Sequence, residues 1–92
     1  MRLYELMAIF PIEEALYKES RELIEKDLSA TGAVIEKTDE IGDRDLAYEI
    51  QKRKRGKYVL YTLKLDPAKI TNLDRAFHLN VNLVRYLFVR VE

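Results

Sequence analysis

The 92-residue sequence predicts an α+β fold of order β-α-β-β-α-β. Its four strands form one antiparallel sheet, spatial order 4-1-3-2, with both helices on one face. Three observations carry that prediction. Four segments have the apolar patterning of strands, and two repeat apolar residues at helical spacing. Their order along the chain makes two β-α-β halves joined by a hairpin. Right-handed crossovers then place strands one and three at the centre of the sheet.

Residues 2–10 are apolar on both parities, which suits a central strand, and Pro11 ends it. A helix is predicted from about Ile12 to Thr31. Leu16, Leu23, Ile24 and Leu28 fall on one stripe, Glu13 and Glu14 suit the N-terminal end, and Gly32 suits the position past the last turn. The opposite face, with Lys18, Arg21, Glu22, Glu25 and Lys26, is expected to be solvated. Val34 to about Thr38 starts the second strand. The acidic stretch Asp39–Asp45 contains Gly42 and is expected to bend or bulge. Its carboxylates lack the ligand spacing of a calcium loop and read as a solvated turn. Leu46, Tyr48 and Ile50 then alternate onto one face.

Lys52-Arg53-Lys54-Arg55-Gly56-Lys57 is expected to be a hairpin loop. The third strand follows to Leu65, with Val59, Tyr61, Leu63 and Leu65 inward and Tyr58, Leu60, Thr62 and Lys64 outward. Asp66-Pro67 is an N-cap with proline at the first helical position, and Ile70, Leu73 and Phe77 give a short helix its apolar face. The last strand is expected from Leu83 to Val91. The sum is a ferredoxin-like arrangement in a single domain, residues 1–92.

Composition narrows the function. There is no cysteine and one histidine, which excludes a disulfide scaffold, a thiolate or histidine-rich metal centre and a cysteine nucleophile. No metal or other cofactor is expected. The longest apolar run, Leu6–Ile12, falls far short of the ~20 residues of a membrane span, and no signal-peptide pattern follows Met1. The expected location is the cytoplasm.

Lys plus Arg is 16 and Asp plus Glu is 16, so the formal charge is zero. That total hides a split. Residues 1–50 hold six basic and thirteen acidic side chains, a net of −7; residues 51–92 hold ten basic and three acidic, a net of +7. The five cations Lys52, Arg53, Lys54, Arg55 and Lys57 are the sharpest piece. They suit either a solvated tip or a loop that contacts phosphates.

No catalytic constellation is legible. His78 has no nucleophile or carboxylate that spacing places beside it, and it reads as a helix-end surface residue. Gly32, Gly42 and Gly56 form no phosphate-binding motif. An acylphosphatase-type enzyme would need an Arg–Asn pair around the first loop, which here is Phe10-Pro11-Ile12-Glu13. Arg55-Gly56-Lys57-Tyr58-Val59-Leu60-Tyr61 has the outline of an RNA-recognition motif, but Lys57 and Val59 stand where stacking aromatics are required. The open sheet face should present Leu3, Met7, Ile9, Tyr58 and Leu60 as an apolar patch. A protein partner or self-association is expected there, with Met7, Tyr58 and Leu60 as the partner contacts.

Several blocks resemble one family. Gly42-Asp43-Arg44-Asp45-Leu46-Ala47-Tyr48-Glu49-Ile50 resembles the signature of the bacterial ribosomal protein S6 family: a glycine, a basic residue, then Leu-Ala-Tyr-x-Ile. Met1-Arg2-Leu3-Tyr4-Glu5, Gly32-Ala33 and Asn82–Arg90 match as well. Gln51, His78 and the strongly basic Lys52–Arg55 run depart from the pattern, and no charged C-terminal tail follows Glu92.

The resemblance implies a structural, non-enzymatic component of the small ribosomal subunit. It would bind small-subunit ribosomal RNA in the platform, together with the eighteenth small-subunit protein. It implies Arg2, Arg85 and Arg90 as RNA-backbone contacts, unless each simply pairs with a carboxylate such as Glu5 or Glu92. Antiparallel pairing of the first and last strands would bring Arg2 and Arg90 together, with Arg85 towards the other end. Tyr48 is expected to pack or hydrogen-bond within the fold. The alternatives carried with this reading are a small-molecule-binding regulatory domain of the same fold and an acylphosphatase-type enzyme.

Overall fold

Strand β1 (Arg2–Phe10) sets the layering: Tyr4, Leu6, Ala8 and Phe10 are buried on one side, while Leu3, Glu5 and Met7 on the other are half-buried. In the computed structural model, which describes residues 1–91, helix α1 (Glu14–Ala30) follows, then β2 (Val34–Ile50) and β3 (Arg53–Leu65). A 3₁₀ turn (Pro67–Lys69) leads into α2 (Ile70–His78) and β4 (Arg85–Arg90). All strand pairs are antiparallel, in the order β2-β3-β1-β4, which is the predicted 4-1-3-2 read from the opposite edge. The core lies between the sheet and the two helices. Val59, Tyr61, Leu63 and Leu65 of β3 are fully buried in it, as their parity predicts, with Leu73 and Phe77 from α2. Asp66 caps the 3₁₀ turn, its side chain accepting from the Ala68 amide at 3.0 Å.

Two expectations for α1 need correction. Leu23 is 42% exposed, and the buried positions are Ser20, Ile24 and Leu28. The helix is rotated towards Ser20 because a buried partner awaits it. Ser20 Oγ donates to Asn80 Oδ1 at 3.0 Å, and Asn80 Nδ2 donates to the Ser20 carbonyl at 3.0 Å. Reciprocal bonds of this kind satisfy both buried polar groups. The other correction concerns Arg21 and Glu25, expected on the solvated face. Both are half-buried, and they tie α1 to the sheet.

From Arg53 onward the basic run is strand, not loop; only Lys52 lies in the turn. β2 and β3 continue past the body of the sheet as a two-stranded arm, closed by a two-residue turn at Gln51 and Lys52, both with positive φ (53° and 62°). That conformation matches the right-handed twist of a hairpin, although asparagine and glycine usually supply it. The acidic stretch is not a solvated turn either. It pairs directly with the basic run, Asp43 opposite Lys57 and Asp45 opposite Arg55. Opposite charges across the ladder favour its extension where like charges would end it.

Three register shifts interrupt β2. One is the bulge expected at Gly42, whose φ of 98° suits a residue without Cβ. Another places Leu46–Glu49 opposite Lys54 alone, between the pairs Asp45–Arg55 and Ile50–Arg53. This excess bends the arm across the open face, where Leu46, Ala47 and Ile50 line a small pocket with Ile9 and Tyr58.

Gly56 makes that close approach possible. It is buried, and a Cβ on it would run into Ile9 Cγ2 and touch Leu46 Cδ2 at 3.4 Å. Ile9 is β-branched and stiff, so it cannot easily give way. Gly56→Ala is therefore expected to destabilise the fold by about 1–3 kcal/mol, the usual cost of overpacking. Chemical denaturation measures it; an unchanged or higher stability would show that the arm does not press on Ile9.

Candidate nucleic-acid and partner interface

The eight candidate RNA-contacting residues gather at two ends of the sheet. Arg90 pairs opposite Tyr4 in the β1–β4 ladder, next to Arg2, and Arg85 pairs opposite Ile9. Arg2 and Ile9 are seven residues apart on β1, about 23 Å at strand spacing. Arg85 shares its end with the arm, hence with Lys52, Arg53, Lys54, Arg55 and Lys57.

These cations are not equivalent. Arg53, Arg55 and Lys57 have one parity and face the helix side, and each meets a carboxylate. Arg53 Nη1 donates to Glu13 Oε1 and Oε2 at 2.9 and 2.7 Å. Arg55 lies 3.3 Å from Asp45, and Lys57 lies 3.9 Å from Asp43 and 4.6 Å from the centre of the Tyr17 ring. No ion pair among the described residues involves Arg2, Lys52, Lys54 or Arg85. Arg85 instead donates to the Tyr48 hydroxyl, with its guanidinium carbon 5.8 Å from that ring's centre. This is the internal hydrogen bond expected of Tyr48, which is otherwise 60% exposed. The Arg53–Glu13 and Tyr48–Arg85 contacts tether the arm from two sides. Arg90 is exposed and has an interaction of its own, and Glu92 lies outside the described residues.

Glu25 of α1 and Glu40 of β2 are also engaged. Arg21 donates to Glu25, Glu40 and the Tyr17 hydroxyl, and Tyr61 donates to Glu25 at 2.8 Å. Burial first, then the bond to Glu25, pushes the Tyr61 phenol well above its ordinary range, so it stays a donor.

The open face divides in two. Under the arm, Ile9 is buried and Tyr58 is half-buried, so the expected patch is narrower at that end. Beyond the arm, Met7 pairs with Leu60 on one side and Leu87 on the other. Leu87 is 61% exposed and Val89 46%. Neither was among the partner candidates, though their parity on the last strand points to this face. Glu5 sits within the strip, opposite Thr62 and Val89, and forms no ion pair with a described residue.

No group of three metal-ligating side chains occurs among the described residues, and no helix there is long and apolar enough to cross a membrane. His78 ends α2 as an exposed residue, in the position expected for it.

The chain is similar to known proteins along its length. The family model described as Ribosomal protein S6 matches residues 3–90. Small ribosomal subunit protein bS6 of Treponema denticola is 48% identical over 92 residues, covering 100% of this chain and 99% of its own. That of Halalkalibacterium halodurans is 43% identical over 94 residues, covering 100% and 99%. The crystal structure of 30S ribosomal protein S6 from Thermotoga maritima superposes with a TM-score of 0.86 at 25% identity, covering 97% of this chain and 86% of that one.

The tethers generate a pH prediction. The Glu13 carboxyl lies below its usual range, held there first by a backbone hydrogen bond at its own residue and then by Arg53. Glu40 is lowered first by its hydrogen bond from Arg21. A carboxyl with a lowered folded pKa stabilises fully above its unfolded value, near ~4.3, and loses that contribution as pH falls through the folded value. Thermal midpoints should therefore drop below about pH 4.5, and Glu40→Gln should flatten the drop. An equally steep drop in the variant would remove Glu40 from the account.

Proposed function

The chain belongs to the ribosomal protein S6 family, and we propose that it binds small-subunit ribosomal RNA in the platform as a heterodimer with the eighteenth small-subunit protein. As a member of that family it is a structural protein of the small ribosomal subunit, not an enzyme.

The observation that carries the proposal is the division of labour on the surface. Arg2, Lys52, Lys54 and Arg85 have no carboxylate partner among the described residues, and they lie at the two ends where Arg90 and the arm also sit. Such cations release counterions when they meet phosphates, and guanidinium adds bidentate geometry. Arg53, Arg55 and Lys57 complete the candidate set, but their charge is already offset, so their contribution is to hold the arm in shape. Between the ends runs the apolar strip of Met7, Leu60 and Leu87, with Tyr58 at its arm side. The strip suits a partner protein, and Glu5 within it offers a carboxylate to a basic one. With zero net charge, the chain alone binds RNA weakly; a basic partner supplies the remaining attraction.

Titration of the chain with the eighteenth protein and platform RNA tests this. A ternary complex is expected at moderate ionic strength, and its absence contradicts the proposal. Arg2→Ala and Arg85→Ala should each weaken RNA binding about tenfold, as for a charge-assisted hydrogen bond; the thermal midpoint should stay nearly unchanged for Arg2→Ala and fall slightly for Arg85→Ala, which also releases Tyr48. No loss at either position would reject the arginine assignment. Leu60→Glu should abolish the heterodimer while the chain stays folded. A heterodimer of unchanged affinity would move the partner off the open face.

A further inference from the structure

A cleft of about 490 Å³ opens between the arm tip, the end of α2 and the start of β4. Its volume lies within the roughly 300–1,000 Å³ of small-ligand sites. Gln51, His78, Val81, Arg85 and Tyr86 are among the residues that line it. The chain carries 16 acidic residues, but none of the described ones lines this cleft, and Arg85 forms no ion pair with a described carboxylate.

We infer that the cleft receives a single unpaired RNA nucleotide, its base on the His78 and Tyr86 rings and its phosphate on Arg85. The inference deepens the RNA-binding reading and rests on it. The two ring centroids stand 6.2 Å apart at 59°, a tilted pair of which His78 is the exposed member and Tyr86 the half-buried one. Tyr86 is fixed in place: its hydroxyl donates to Asp74 at 2.9 Å and its ring meets Phe77 edge-on at 5.0 Å. His78 is exposed and adjustable. The Gln51 amide, on the exposed turn, is in none of the side-chain hydrogen bonds among the described residues and can donate to and accept from a base edge. The Asn80 amide is spent on Ser20, so it supports the wall without reading the ligand. Unstacked bases are recognised in this way, by aromatic stacking with hydrogen bonds at the exposed edge.

The test uses the full chain and two probes of equal length, hexa-adenylate RNA and the same backbone without bases. With hexa-adenylate, the His78 and Tyr86 ring proton resonances should move upfield; the abasic backbone should leave them in place. His78→Ala should weaken hexa-adenylate binding about fivefold or more, as loss of one stacked base does, and His78→Phe should restore it. Equal shifts with both probes, or His78→Ala binding like the parent chain, would overturn the inference. Protection of these rings by the partner protein alone, without response to RNA, would also overturn it by making the cleft a protein contact. The wider reading is judged separately: if the parent chain still forms the ternary complex, only the cleft is lost.

Discussion

The pairing of an acidic strand with a basic one is the constraint on which the rest of this surface depends. Residues 36–45 of β2 hold five acidic and two basic side chains, residues 53–64 of β3 hold five basic and no acidic ones, and the antiparallel register sets them against each other. Asp45 meets Arg55, Asp43 meets Lys57 and Glu36 meets Lys64. Each pair is exposed or half-exposed and contributes only about 0–1 kcal/mol. Their importance lies in selection. Pairing decides which cations of a dense run remain available to an outside polyanion, and strand alternation makes that decision by parity.

The fold itself is held by other means. Thirteen buried residues form one core between sheet and helices, and burying each large side chain contributes about 1.5–3 kcal/mol. The core covers one face of the sheet only. The opposite face is left to the arm at one end and to an apolar strip at the other. The bulge at Leu46–Glu49 and the missing Cβ of Gly56 let the arm bend over Ile9, while Arg53–Glu13 and Tyr48–Arg85 hold it there. The same bend creates a cleft against β4. One irregularity in the ladder thus shapes the open face and the Arg85 end of the sheet together.

Much of this was legible in the sequence because its causes are local. Period-two alternation identified the inward residues of β3, Asp66-Pro67 marked the helix start, and the β-α-β-β-α-β order led to the sheet topology. The Leu-Ala-Tyr-x-Ile block pointed to the family. The misreadings share a non-local origin. Leu23 looked like core because the Ser20–Asn80 bond spans 60 positions and rotates the helix the other way. The basic run looked like a loop because its repulsion was judged without the carboxylates across the ladder, and because Gln51-Lys52 has no glycine or asparagine to announce a tight turn. His78 was rightly placed at a helix end, but its neighbours Arg85, Tyr86 and Gln51 come from distant parts of the chain.

The most direct measurement of the central claim is the salt dependence of ternary-complex formation in two neighbouring variants, Lys54→Gln and Arg55→Gln. The logarithm of the binding constant should fall linearly with the logarithm of salt concentration, each phosphate contact adding about 0.9 to the slope for a duplex. Lys54, without a carboxylate, should reduce the slope by about one when removed, whereas Arg55, paired with Asp45, should leave it unchanged. Equal reductions in both variants would contradict the account, since cross-strand pairing would then not decide which cations reach the RNA.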